Sequence, residues 1–445
     1  MCATSSAERA QVKTPSRGRA LPARPAIGAA AGAPGTTVDL MHSRVDLGDS
    51  VRVAIMVTPR RRGVFREQAR EVLAALQAVL ERQPETMVVT VLTVFLKNLR
   101  DQPAFEELLS DLFNSNAPVA NFILQPPCNG AALALEAWAI GGDSVRVEHF
   151  GSRTLSVAYD GVRWIYCAGF KPTSASRGVY AQTLDVLEHT RAALAEAGSG
   201  FQHLVRTWFY LGGITRPEGK VGRYQELNRA RSDYYRGVRF RCSSLAPAAA
   251  QGVYPASTGI GMGGRGLVMS CVALETPRDD IVLLPLENPR QTPAYAYDAR
   301  YSSQSPKFSR AVALMLGDCL TTWVSGTASI VDSETCYPGD PEKQTEQTID
   351  NIERLIAKEN FSQHGLEGAG ASLRDLAKIR VYLKRPEDLP RCRAICEQRF
   401  GGVPVIYAVA DICRPDLLVE IEGVAFSRYS RAAAAPSVSI QPRRV

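Results

Sequence analysis

No apolar run in this 445-residue chain reaches the roughly 18 residues that a membrane-spanning helix needs. The N-terminus lacks the hydrophobic stretch of a secretory signal. Histidine is scarce, with five residues scattered along the chain. The ten cysteines are scattered too, at positions 2, 128, 167, 242, 271, 319, 336, 392, 396 and 413. Cys392 and Cys396 share a helix face but have neither paired CxxC sets nor a nearby His, which argues against a metal site. Several of the others lie inside apolar strands and read as buried thiols of a reducing, cytoplasmic environment. There is no Walker lysine motif and no GxSxG elbow. Gly259-Ile-Gly261-Met-Gly263-Gly264 fits GxGxxG, but a strand follows it rather than a helix, so it reads as a loop leading into that strand.

A basic nucleic-acid face is missing as well. The formal charge is +7, yet residues 1–45 hold six Lys/Arg against two acids, and residues 426–445 hold four Arg and no acid. Taking +4 from the total for each tail leaves the body, 46–425, at −1. The basic excess belongs to the tails, and no basic stripe is interleaved with stacking aromatics. The first 45 residues are rich in Ala, Pro, Gly and Arg and are expected to be disordered.

What is present is a repeat. Each copy runs strand, long helix, strand, helix, strand. The third copy has Thr322–Gly326, a helix over 342–357, Leu376–Leu383, a helix over 389–400 and Leu418–Ala425. The second has 164–169, 179–197, 204–211, 222–235 and 267–274; a fainter first has 51–57, 65–82, 88–96, 103–114 and 133–140. The closing strands align as Leu135, Met269 and Glu420. Side chains alternate along a strand, so Glu420 and Glu422 share one face. An unpaired carboxylate in a packed sheet is costly. With no acid in the other two copies at this position, Glu420 is the leading candidate for chemistry.

Other residues carry two readings each. Tyr224, Asn228 and Arg231 fall at i, i+4 and i+7 on one helix face, either a solvated, salt-bridged face or donors for an anionic ligand. Arg310 is an ordinary surface residue or a second carboxylate clamp. Gly326 is a turn glycine or space for a ligand ring. Cys413 on its own reads as a buried apolar thiol.

Two sets of three strings narrow these choices. Ser325-Gly326-Thr-Ala328, Gly339-Asp340 with Gln347-Thr348 and Asn351-Ile352, and Val419-Glu-Ile-Glu-Gly-Val-Ala425 resemble the Rid/YjgF family. Trp208–Gly213, Arg223-Tyr-Gln-Glu-Leu-Asn-Arg-Ala-Arg231 and Tyr254–Gly261 resemble the chorismatases, which combine Rid-like modules in one chain. The resemblance covers about residues 85–425. It implies an α+β fold of repeated Rid/YjgF-like (chorismate-mutase-like) modules. Rid modules pack as trimers, so three in one chain suggest an internal pseudo-trimer. The expected divisions are a tail over 1–45, modules over 46–150, 151–290 and 291–427, and a tail over 428–445.

By the same resemblance, Glu420 is the catalytic acid. Gly326 paired with Cys413 marks members that make 3-hydroxybenzoate, and some relatives make 4-hydroxybenzoate too. Arg231 and Arg310 would clamp the substrate carboxylates, with Arg223 in reserve and Tyr224 and Tyr297 completing the substrate-binding set. The small-molecule partner would be chorismate, with no cofactor, no metal, no nucleic acid and no membrane, in a monomer or a homo-oligomer. The competing expectation is a Rid protein that binds small metabolites or deaminates imines. Rid deaminases carry an Arg shortly after the strand Pro, where this chain has Val405-Ile406 after Pro404.

Overall fold

The computed structural model describes residues 26–28, 37–174, 177–243, 252–297 and 304–429. They form three six-stranded sheets. The third sheet runs in the order Val282–Leu286, Ala311–Leu316, Cys319–Ala328, Val419–Arg428, Leu376–Leu383, Val405–Val409. All neighbours are antiparallel except the last pair. The first and second sheets repeat the core of this order. In them the closing strands Leu133–Gly141 and Leu267–Glu275 lie between the copy's first and second strands. The repeated-module expectation therefore holds.

Two helices cover one face of each sheet, and periodicity explains why. In Phe65–Glu81 the buried residues Gln68, Ala69, Val72, Leu73, Leu76 and Val79 form one stripe. Helix Pro341–Ile356 starts where Asp340 accepts a hydrogen bond from the Lys343 amide and Pro341 occupies the first turn. Each sheet has its own apolar core under its helices. A further cluster draws Ile140, Trp164, Val205, Val312, Trp323 and Val424 from all three sheets. The uncovered faces thus meet in one interior, a trimer-like arrangement within one chain. Trp164 and Trp323 pack with ring centroids 5.0 Å apart across it, and Ser43 Oγ donates to the Ala377 carbonyl at 2.6 Å.

Three expectations need correction. Val38–Asp46 is a strand paired with Val51–Pro59, and Ala26–Gly28 pairs with it in turn, so the disordered tail does not extend through residue 45. The alternation of Val38 and Leu40 with polar neighbours supplies the strand's inner face. Residues 1–25 and 430–445 lie outside the described residues. Second, the glycine run is not a loop at its start. Ala256–Met262 is a strand parallel to Leu204–Gly212. Its glycines allow close approach: a Cβ on Gly259 would meet the Tyr224 ring at 2.8 Å, and one on Gly261 the Asp411 carbonyl at 2.5 Å.

Third, the repeat alignment slips by one residue. Glu420 lies opposite Tyr382, Val268 opposite Tyr210, and Ala134 opposite Phe95. The true counterparts of Glu420 are therefore Ala134 and Val268, and it remains the one acid of the three. Glu422 has as counterparts Ser270 and Glu136, which lie opposite Trp208 and Thr93. No helix among the described residues is long and apolar enough to cross a membrane.

Candidate active site

A cavity of about 380 Å³ opens between the second and third modules. The second module contributes Tyr224, Asn228 and Ser257, and the third contributes Arg310, Gly326, Cys413, Arg414 and Glu420. The closing strand begins at Val419, so its first inward side chain, Glu420, reaches the cavity at the strand's open end. Across from it the partner strand is irregular between Val324 and Thr327. Gly326 sits in this bulge, and a Cβ there would stand 2.1 Å from Glu420 Oε1. Glycine is thus required for the carboxyl to occupy its present place.

Glu420 is 3% exposed. Burial first, and then the charge of Glu422, push its pKa up to about 8, with Arg206 and Arg310 opposing. The carboxyl is protonated at neutral pH. Glu422 has the opposite fate. It accepts hydrogen bonds from Arg206 Nη2 at 2.5 Å, Trp208 Nε1 at 2.9 Å, Arg380 Nη1 at 2.9 Å and Tyr382 Oη at 3.1 Å, and one more from Thr258 Oγ1. Burial disfavours its charge, but Arg380, Arg206 and Lys378 overcome that and lower its pKa. Two carboxyls two residues apart are therefore split into a proton donor and a fixed anion.

The other residues divide by position. Arg310 is buried and lines the cavity; its Nη2 donates to the Thr292 carbonyl at 3.1 Å and to Tyr297 Oη at 2.5 Å, while its Nε has no protein partner. Tyr297 also lines the cavity. Cys413 is held neutral, its thiol pushed up to about 12 by burial and then by Glu420. It can shape the site and donate weakly, but it is no thiolate nucleophile. Burial raises the Tyr224 phenol likewise, so it remains a donor. On the far side of Arg310, Glu287 accepts from the Arg310 backbone amide at 3.2 Å, and burial pushes its carboxyl up to about 7 against the pull of Arg310.

Arg231 and Arg223 do not reach the cavity wall. Arg231 is 1% exposed and stands behind it, donating to Asn228 Oδ1 at 2.7 Å and Ser257 Oγ at 3.3 Å between the rings of Phe209 and Phe308. The helix face is therefore neither solvated nor wholly a ligand face. Arg223 is committed to Glu218 and to the carbonyls of Gly212 and Arg265. Its first-turn position turns it towards its own module, which removes it from the reserve role. Arg414 was absent from the sequence candidates. It lines the cavity, donates to the Ser333 carbonyl at 2.8 Å, and lies 5.4 Å from the Tyr297 ring centroid. Its position next to Cys413 was the available signal.

A neutral acid and two guanidinium groups facing a half-polar cleft can protonate a small anionic molecule away from bulk water. Among the described residues, no group of three His, Cys, Asp or Glu side chains is placed to hold a metal.

No family model matches the chain. A 3-hydroxybenzoate synthase of Streptomyces hygroscopicus is 34% identical over 300 residues, 65% of this chain and 80% of that one. A chorismatase of the same species is 32% identical over 275 residues, 60% of this chain and 74% of that one. A crystal structure of chorismatase matches with a TM-score of 0.57 and 25% identity, over 76% of this chain and 93% of that one. With 34% identity across 80% of one of these relatives, and the fold shared along nearly all of another, the chain belongs to the chorismatase family.

Proposed function

We propose that the protein cleaves chorismate to pyruvate and a hydroxybenzoate, chiefly 3-hydroxybenzoate, with 4-hydroxybenzoate as a minor product. The observation that carries this reading is the Glu420 carboxyl buried at the cavity wall with Arg310, its pKa pushed up to about 8 by burial and Glu422. Chorismate is a dianion bearing an enolpyruvyl ether. Protonating the methylene carbon of that ether gives an oxocarbenium centre, and a neutral carboxylic acid in a dry cleft is suited to the task. Arg310 and Arg414 supply positive charge for the carboxylates. The ring hydroxyl then displaces pyruvate, giving an arene-oxide-like intermediate that loses a ring proton as it becomes aromatic. The balance closes without water, since chorismate is the sum of pyruvate and hydroxybenzoate. The neutral Cys413 fills the space beside Glu420 that a competing water would need.

Ile406, which stands where Rid deaminases carry an Arg, is buried in the edge strand beside Arg380 and offers no charge to a substrate. The decisive experiment is incubation of purified protein with chorismate alone, followed by chromatography of the ring products and enzymatic assay of pyruvate. Equimolar pyruvate and 3-hydroxybenzoate are expected. Unchanged chorismate would refute the proposal, and pyruvate with a non-aromatic diol acid would refute the role given to Cys413.

A further inference from the structure

The three sheets enclose a second cavity, of about 60 Å³, where their uncovered faces meet. Four cationic side chains line it, Arg52, Arg206, Lys378 and Arg380, against two carboxylates, Glu136 and Glu422. All six are buried. We propose that this central cavity is a binding site for a small inorganic anion of the halide class.

The charge count motivates it. Four cations against two carboxylates leave two positive charges in excess, and burying unbalanced charge is costly. Hydrogen bonding shows where the excess lies. Glu136 accepts from Lys378 Nζ at 2.6 Å and from Arg380 Nε at 2.6 Å and Nη2 at 2.9 Å. Glu422 is shared by Arg206 and Arg380. Arg380 and Arg206 are therefore matched. Lys378 makes one hydrogen bond from an ammonium that has three donors. Burial, and then Arg380, push its pKa down to about 8, with Glu136 and Glu422 opposing.

Arg52 has no carboxylate at all. It is 8% exposed; the phenols of Tyr166 and Tyr159 hydrogen-bond to it and hold its pKa up against burial, while its Nε and Nη2 have no partner. Its guanidinium lies 5.3 Å from the Trp164 ring centroid and 5.5 Å from that of Tyr159. Strand register puts Arg52 and Trp138 on one sheet face, since Arg52 pairs with Ile140 and Ala54 with Trp138. Trp138 in turn lies under Lys378 Nζ, 5.9 Å from its ring centroid. The two under-matched cations thus flank the same space. Water would fill it but would bring no charge. An organic dianion is too large for it and is accommodated in the cleft beside Glu420. A chloride-sized ion fits, because a cavity of this size holds a few water-sized particles.

The test uses the full chain and chloride itself. At constant ionic strength, replacing gluconate by chloride should raise the thermal unfolding midpoint in proportion to the logarithm of chloride concentration, as a ligand of the folded state does. Bromide and nitrate should substitute, and sulfate should not. Crystals grown in bromide should show an anomalous peak beside Arg52 and Lys378. Arg52→Met and Lys378→Met should each flatten the chloride response. The bromide map needs no variant, so it decides the matter if neither variant folds. A midpoint indifferent to chloride, a response undiminished in a folded variant, or a bromide map with only water in the cavity would each overturn the proposal.

Discussion

At Glu420 the proposed acid also carries a cost in stability, because its carboxyl is buried. Glu420→Gln should lower turnover by roughly 10²–10⁴-fold, because Gln cannot give a proton to carbon. In the parent protein, turnover should fall as pH rises through about 8, where the carboxyl loses its proton. A steady-state pH profile checks both, and an alkaline limb well below pH 7 would mean another group is the acid. Stability has a definite sign. The folded pKa lies above the unfolded value of about 4.3, so the folded state holds a proton that the unfolded state has lost. The stabilising contribution is complete below the unfolded pKa and drains away as pH climbs towards about 8. Glu420→Gln should therefore become the more stable protein as pH rises from 5 to 8, by a margin on the order of a few kcal/mol. Denaturant midpoints at the two pH values test this. Cys413→Ala and Gly326→Ala should act on selectivity. The first opens room for water, and the second forces the Glu420 carboxyl aside. Cys413→Ala should divert product from 3-hydroxybenzoate to a non-aromatic diol acid while pyruvate release continues, whereas Gly326→Ala should also slow pyruvate release, because it displaces the proposed acid. An unchanged product ratio would reduce Cys413 to a packing residue.

Elements were more legible than registers. Helices such as Leu389–Phe400 and strands such as Leu376–Leu383 coincide with the sequence reading, because apolar periodicity is set locally. Strand pairing is not local. Leu133–Gly141 and Leu267–Glu275 are apolar along almost their whole length, and a uniform strand carries no mark of its register. That is why Glu136 went unmatched with Glu422. The site was half legible for a similar reason. Glu420 and Gly326 lie within recognisable strings and Cys413 is marked by its pairing with Gly326, whereas Arg414 reaches the cavity wall only through the folding of its loop against Tyr297. Sequence also could not separate Arg310 from Arg231. The helix Arg223–Tyr235 is tied to strand Ala256–Met262 through Arg231, Asn228 and Ser257. Arg310→Ala should raise the Michaelis constant by roughly 10- to 100-fold, as loss of a charged hydrogen bond of about 1.5–3 kcal/mol does. Arg231→Ala should instead lower the unfolding midpoint, since it strips a packed cation from between two rings. The opposite pattern would make Arg231 the clamp.

For the whole molecule, the ends differ in what they hold. A chain starting at Pro25 should fold and turn over like the full-length protein, whereas one starting at Leu47 loses Val38–Asp46 from the first sheet and should unfold at lower temperature. Circular dichroism melts compare the two, and equal midpoints would make that strand dispensable. The cleft formed by the second and third modules has a different consequence. Its two walls are covalently tethered, so their encounter does not depend on how many molecules share the solution. Specific activity should hold steady on dilution, and a decline would reveal a second copy completing the site. Tethering also removes the bookkeeping of symmetry. In an assembly of identical chains each substitution appears at every wall at once, but here it appears once. Ala134 and Val268 can stand where Glu420 has its counterparts, so one cleft specialises while the other two modules serve as its scaffold.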